Sequence, residues 1–113
     1  MDLSSLTYED KRSWHLNEAA LDHACRDWSA AAKVIKHNLD AMGEHHRIAP
    51  HYLQRCYDLL AQGPVEMRAA FLGLTDEGQV LRSIHPFAGL LPERERREIL
   101  QHTKRPGRLD EAG

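Results

Sequence analysis

The first 42 residues contain neither glycine nor proline, and Gly43 is the first breaker in the chain. Large apolar residues recur through this stretch at intervals of seven, at Trp14, Leu21, Trp28, Ile35 and Met42. Ala24, Cys25, Ala31, Ala32 and Leu39 flank that stripe, while Arg12, Arg26, Lys33 and Asp40 lie on the opposite side. Apolar residues on one side and charges on the other are the pattern of an amphipathic helix. Thr7 suits the N-cap, and Glu9 and Asp10 complement the dipole of the first turn. The spacing therefore predicts a long N-terminal helix from about Tyr8 to about Met42.

At about 1.5 Å per residue such a helix is roughly 50 Å long. Its apolar stripe needs cover over that whole length. A break near residues 27 to 31 would fold the segment into two shorter helices of one bundle; a partner subunit would cover an unbroken helix. Asn17 and Asn38 lie within the seam and are symmetric about residues 27 and 28. In an antiparallel self-pairing about that centre, Asn17 faces Asn38, Ala24 faces Ala31, and Leu21 faces Val34 or Ile35.

Shorter helices follow. Residues 43–49 read as a connection, and Pro50 suits the first position of a helix over Pro50 to Gln62, with Leu53, Cys56, Tyr57 and Leu60 on its apolar side. Gly63-Pro64 ends it. A third helix is expected from about Val65 to Leu72, stopped by Gly73. Thr75 caps a fourth from Asp76 to Ile84, and His85-Pro86 interrupts the chain again. Pro92 opens a charged helix over about Glu93 to Thr103, in which Glu93 and Arg97, and Arg94 and Glu98, stand at the favourable four-residue spacing. No segment combines period-two alternation with clustered β-branched residues. The expected fold is all-α: a small bundle with one long N-terminal helix (about 8–42) and three to four shorter ones, a single domain over 1–103, and a flexible tail over 104–113.

The 113 residues suffice for one core. Net charge is -2, and the charges are evenly mixed: five basic and seven acidic groups in residues 1–42, four and five in 43–92, six and five in 93–113. That balance disfavours nonspecific phosphate binding. No run approaches the roughly 18 apolar residues of a membrane span, and Met1-Asp2-Leu3-Ser4-Ser5 has no basic region leading into an apolar one. A cytoplasmic location is the expectation. Cys25 and Cys56 form no CxxC pair and are expected as buried thiols.

Histidine is over-represented, with eight residues. His37, His45, His46 and His51 cluster near Asp40 and Glu44, a donor set that suits zinc, iron or nickel. The spacing argues against convergence, because adjacent His45 and His46 diverge on a regular element and no HExxH pattern occurs; surface histidines are expected, and no cofactor. Ser83 and His85 lack a GxSxG elbow, and Gly73 and Gly78 make no phosphate loop.

Residues 69–84 have the outline of a degenerate helix-turn-helix, with Gly73 at the turn and Val80 one position late for the usual apolar residue. Leu74-Thr75-Asp76-Glu77-Gly78 with Leu81 resembles the segment that joins the wing to the dimerisation helix in MarR-type winged-helix repressors. That resemblance covers Leu74–Leu81 and implies DNA binding, but Asp76 and Glu77 at the reading end repel phosphate. Protein recognition fits better. Trp14, Leu21, Trp28 and Ile35 are candidate interface anchors, with Arg94 and Arg97 as candidates for an acidic partner. The expectation is a non-enzymatic adaptor, inhibitor or regulator that binds another protein, or a second copy of itself, through a helix face.

Overall fold

A computed structural model describes residues 6–102. Six helices follow one another: α1 (Tyr8–Arg26), α2 (Trp28–Glu44), α3 (Pro50–Gln62), α4 (Pro64–Leu72), α5 (Asp76–Ile84) and α6 (Glu93–His102). The all-α expectation holds, and α3 and α5 have the predicted limits. Thr103 and the tail over 104–113 lie outside the described residues.

The 8–42 segment is divided at Asp27, within the interval where a break was one of the two expectations. Asp27 sits at φ -148°, ψ 76°; its backbone N–H closes α1 on Ala24 O, and its carboxylate accepts from Ala30 N to open α2. One residue thus caps two helices without glycine or proline, which is why no breaker marks the site. The division lets each half of the stripe fold onto the same core. Leu21 and Ile35 are both fully buried there.

Leu39, Cys56, Leu59, Met67, Phe71, Leu81 and Phe87 complete that core, with Phe71 and Phe87 ring centroids 4.8 Å apart. Helix α1 contacts α2, α4, α5 and α6, so it serves as the axis of the bundle. The asparagines read as a dimer seam act within the chain instead. Asn17 Nδ2 donates to Ser13 O at 2.7 Å, and Asn38 Nδ2 donates to Pro86 O and Ala88 O, both at 2.9 Å. Short polar side chains can serve backbone carbonyls as readily as they serve each other.

The α4–α5 corner is the most constrained part. Gly73 has φ -64°, so α4 does not end in a left-handed turn that would satisfy its last carbonyls. Side chains satisfy them: Arg82 Nη1 donates to Phe71 O and to Gly73 O, both at 2.8 Å, and Trp14 Nε1 donates to Leu72 O at 3.0 Å. Arg82 is buried, and the negative end of the α4 dipole faces its charge. Loss of hydration lowers the Arg82 pKa, and Asp10 opposes that. Gly78 makes the approach possible, because a Cβ there would lie 2.1 Å from Gly73 O. Gly63 is needed for a different reason. At φ 113° it joins α3 to α4 in a conformation that other residues rarely adopt, although nothing would touch its Cβ.

Two substitutions test this corner. Gly78→Ala gains about 1 kcal/mol of helix propensity, but its methyl would collide with backbone that cannot move aside, and overpacking costs about 1–3 kcal/mol or more. We expect a net loss of about 2 kcal/mol and a thermal midpoint lower by about 10 °C. Arg82→Met leaves two carbonyls unpaired, at about 1–3 kcal/mol each, partly offset by removing a buried charge. Circular dichroism melts should show both variants well below the unmodified protein; unchanged midpoints would refute this account.

Candidate functional site

The candidate anchors separate once the fold is in place. Leu21 and Ile35 have no surface left to offer. Trp14 is half-buried, with its indole N–H committed to α4, and Trp28 is half-buried against the core. Arg94 and Arg97 are exposed on α6, and Arg97 Nε lies 3.5 Å from Glu93 Oε1.

The histidine set does not assemble. His45 closes α2 through its backbone N–H, His46 has φ 54°, His51 packs its ring on Tyr52 at 4.2 Å, and His37 is exposed on α2. Asp40 is engaged elsewhere, accepting a short hydrogen bond from Tyr57 Oη and another from Lys36 Nζ at 2.9 Å. Among the described residues no group of three or more His, Cys, Asp or Glu could hold a metal ion. The four histidines are distributed over α2, the connection after it and the start of α3.

The helix-turn-helix outline is realised as α4, the Gly73–Thr75 turn and α5, but with a different packing face. Gln79 is exposed and donates to Asp10 Oδ2 at 3.2 Å, while Gly78, Leu81 and Arg82 face inward. The exposed start of α5 carries Asp76 and Glu77, and Glu77 pairs with Arg55 at 3.3 Å. No strand occurs among the described residues, so they contain no hairpin wing of the kind the MarR-type resemblance implies.

A largely apolar cleft lies where α1, residues 85–91 and α6 meet. It is a cavity of about 150 Å³, walled by Leu16 and Ala20 from α1 and by Phe87 and Leu91 from the connecting segment, with Asn17 and Arg96 also on its lining. Asn38 holds the connecting segment in place through its two carbonyl bonds. His23 Nε2 and Glu95 Oε2, 2.5 Å apart, hold α6 against α1. Asn17 is 3% exposed, and its Oδ1 has no hydrogen-bond partner. His85 contributes to the lining from its left-handed position at the end of α5. Loss of hydration, and then the nearby Arg12 guanidinium, depress its pKa and favour the neutral imidazole.

Sequence reasoning did not find this cleft. Its lining is drawn from α1 and from residues 85–96, far apart in the chain, and only the apolar run around Phe87 and Leu91, outside any predicted helix, hinted at it. A second, polar groove between α1 and α6 has a volume of about 340 Å³ and includes His15, Glu18, Asp22 and His102. Its carboxylates are partly engaged, Asp22 with Arg68 at 2.7 Å and Glu18 with His15 at 3.9 Å.

No protein-family model matches this chain, and no curated protein and no solved structure does either.

Of the two cysteines expected to be buried, one is. Cys56 is buried, and loss of hydration raises its thiol to a pKa of about 11, but Cys25 is exposed. At about 100° per residue, Cys25 lies roughly a quarter-turn from the centre of the buried Asn17, Ala20, Leu21 and Ala24 arc. We expect a disulfide reagent at pH 8 to modify one thiol rapidly in the folded protein and the second only on unfolding; Cys25→Ser should remove the fast phase. Equal reactivity of both thiols would contradict this burial pattern.

Tyr57 gives a second check. Its bond to Asp40, followed by loss of hydration, raises the phenol to a pKa of about 12. The folded state therefore retains a proton that the unfolded chain releases near pH 10. The associated stabilisation should fade as pH rises from about 10 to about 12. Ultraviolet titration should show one late phenol that moves toward 10 in Asp40→Asn; an unmoved titration would exclude the Asp40 contact as its cause.

Proposed function

We propose that this protein is a non-enzymatic interaction module that binds another protein stoichiometrically, with the cleft between α1, residues 85–91 and α6 as its anchor site. The observation that carries this reading is the composition of the cleft: apolar walls at Leu16, Ala20, Phe87 and Leu91, with cationic Arg96 on its lining. Interfaces draw affinity from a desolvated apolar anchor and orientation from a charged surround. Arg12 lies close enough to act on His85, and Arg96, which shares Glu93 with Arg97, reaches the lining from α6; these two cations would favour an acidic partner. The acidic start of α5 argues against duplex DNA as that partner.

The test is site-resolved. A photoreactive phenylalanine analogue in place of Ala88, which is exposed beside the cleft, should crosslink one partner at equal stoichiometry in an extract of the native host. The same analogue at Val65, outside the cleft, should not. Ala88→Trp should reduce capture at least tenfold while leaving the helical spectrum unchanged. Crosslinking that ignores position, or tight salt-sensitive binding of duplex DNA, would overturn the reading.

A further inference from the structure

We infer that α6 is a displaceable strap: it occupies, within the chain, the face of α1 that an amphipathic helix of the partner takes when it binds. That helix carries a carboxylate four residues before a large apolar residue, in place of Glu95 and Ile99. This inference rests on the proposed interaction role and assigns the form of the partner and the event that admits it. The way α6 is seated supplies the template. Glu95 Oε2 meets His23 Nε2 at 2.5 Å, and Ile99 and His102 share a groove with Ala19 and His15. Helix α6 therefore crosses α1 antiparallel, with 95 over 23, 99 over 19 and 102 over 15, about two turns of contact. A carboxylate only accepts, so His23 is the donor in that pair.

The seat is shallow. At about 100° per residue, Leu16 and Ala20 lie on one side of His23 on α1, and Ala19, His15 and Asp22 on the other. A groove runs along each side, about 150 Å³ on the first and about 340 Å³ on the second. Helix α6 thus rests on small side chains with space at both flanks, and it buries no residue. Its Arg96 and Arg97 pair with Glu93, and His102 bonds Glu98 O, all within the helix. Among the described residues its polar link to α1 is the His23–Glu95 pair, whose side chains are 21% and 37% exposed, a setting in which such a pair holds weakly. Departure of α6 leaves the rest of the site standing. The apolar walls Leu16, Ala20, Phe87 and Leu91 belong to α1 and the connecting segment, which Asn38 and the burial of Phe87 keep in place. Release of α6 joins those walls to Ala19 and His23 in one longer face.

The first experiment is native-state hydrogen exchange on the full chain. We expect the amides of residues 96–102 to open as one unit, with protection at least about a hundredfold below that of Leu21 and Ala24 on α1. Glu95→Ala should lower the protection of α6 by about another tenfold and leave α1 unchanged; alanine favours helix, so the loss reads docking. Exchange of α6 together with α1, or a gradient fraying back from His102, would overturn the strap. The second experiment supplies an occupant: a peptide of residues 93–102 held helical by a lactam bridge between positions 94 and 98, both exposed on α6. In Glu95→Ala/Ile99→Asp, whose own α6 competes poorly, the peptide should shift the amides of Leu16, Ala19 and His23. It should bind the unmodified protein at least about tenfold more weakly, because α6 competes there at high local concentration. A peptide with Glu95→Ala should lose about tenfold in affinity for the variant. Equal affinity for both proteins, absence of binding, or shifts away from α1 would overturn the inference. Crosslinking at position 88 that Glu95→Ala leaves unchanged would retain the interaction role and reject the strap. Peptide exchange as expected, with no partner captured at position 88, would retain the strap and reject the interaction role.

Discussion

The carbonyl end of α4 governs the arrangement of the bundle. A helix that ends in the interior must find donors for its last carbonyls, and α4 receives them from two directions, Arg82 on α5 and Trp14 on α1. These bonds couple three helices around one point. They also explain a buried arginine in a small protein: the guanidinium is planar and multivalent, and two carbonyls and the α4 dipole, with Asp10 nearby, support its charge. The close passage of Gly73 over Gly78 is the steric condition for that contact. With α4 and α5 locked to α1, the apolar faces of α2 and α3 have a fixed surface to cover.

The opposite side of α1 is held less tightly. Helix α6 has no buried residue and rests on α1 through the His23–Glu95 contact, with Ile99 and Leu100 half-buried. Residues 85–91 are attached to α2 by the Asn38 amide. The cleft therefore lies between α1, a connecting segment anchored in the core by Phe87, and α6, which has no buried residue. That is a suitable setting for a site that must admit a side chain, because local opening there disturbs little of the core.

Much of the fold was legible because its signals are local. Pro50, Gly63-Pro64, Thr75 and Pro92 each state a boundary through φ restriction, a missing donor or a capping oxygen, and the helices follow them. Asp27 was harder to read. It removes only one residue from the helical register, so the seven-residue stripe continues across the break and resembles one long helix. Asn17 and Asn38 looked alike as seam residues; one serves its own helix and the other a distant loop, a distinction that depends on which backbone lies opposite. Arg82 gave the weakest signal of all, since arginine is ordinarily exposed, although Gly78 one turn earlier on the same face leaves room for close approach.

The sequence by itself determined the helical class, most helix limits, and which residues are apolar enough to form a core, because periodicity, capping and chain breaks act within a few residues. It did not determine which apolar positions remain available for binding. Leu21 and Ile35 were equally good as interface anchors and as core until α2 folded back at Asp27 and consumed them. The scattered residues Leu16, Asn17, Phe87 and Leu91 became a cleft only when the α4 corner, the Asn38 bonds and α6 set their positions. Burial is a property of what lies opposite a side chain, and that is decided by long-range packing.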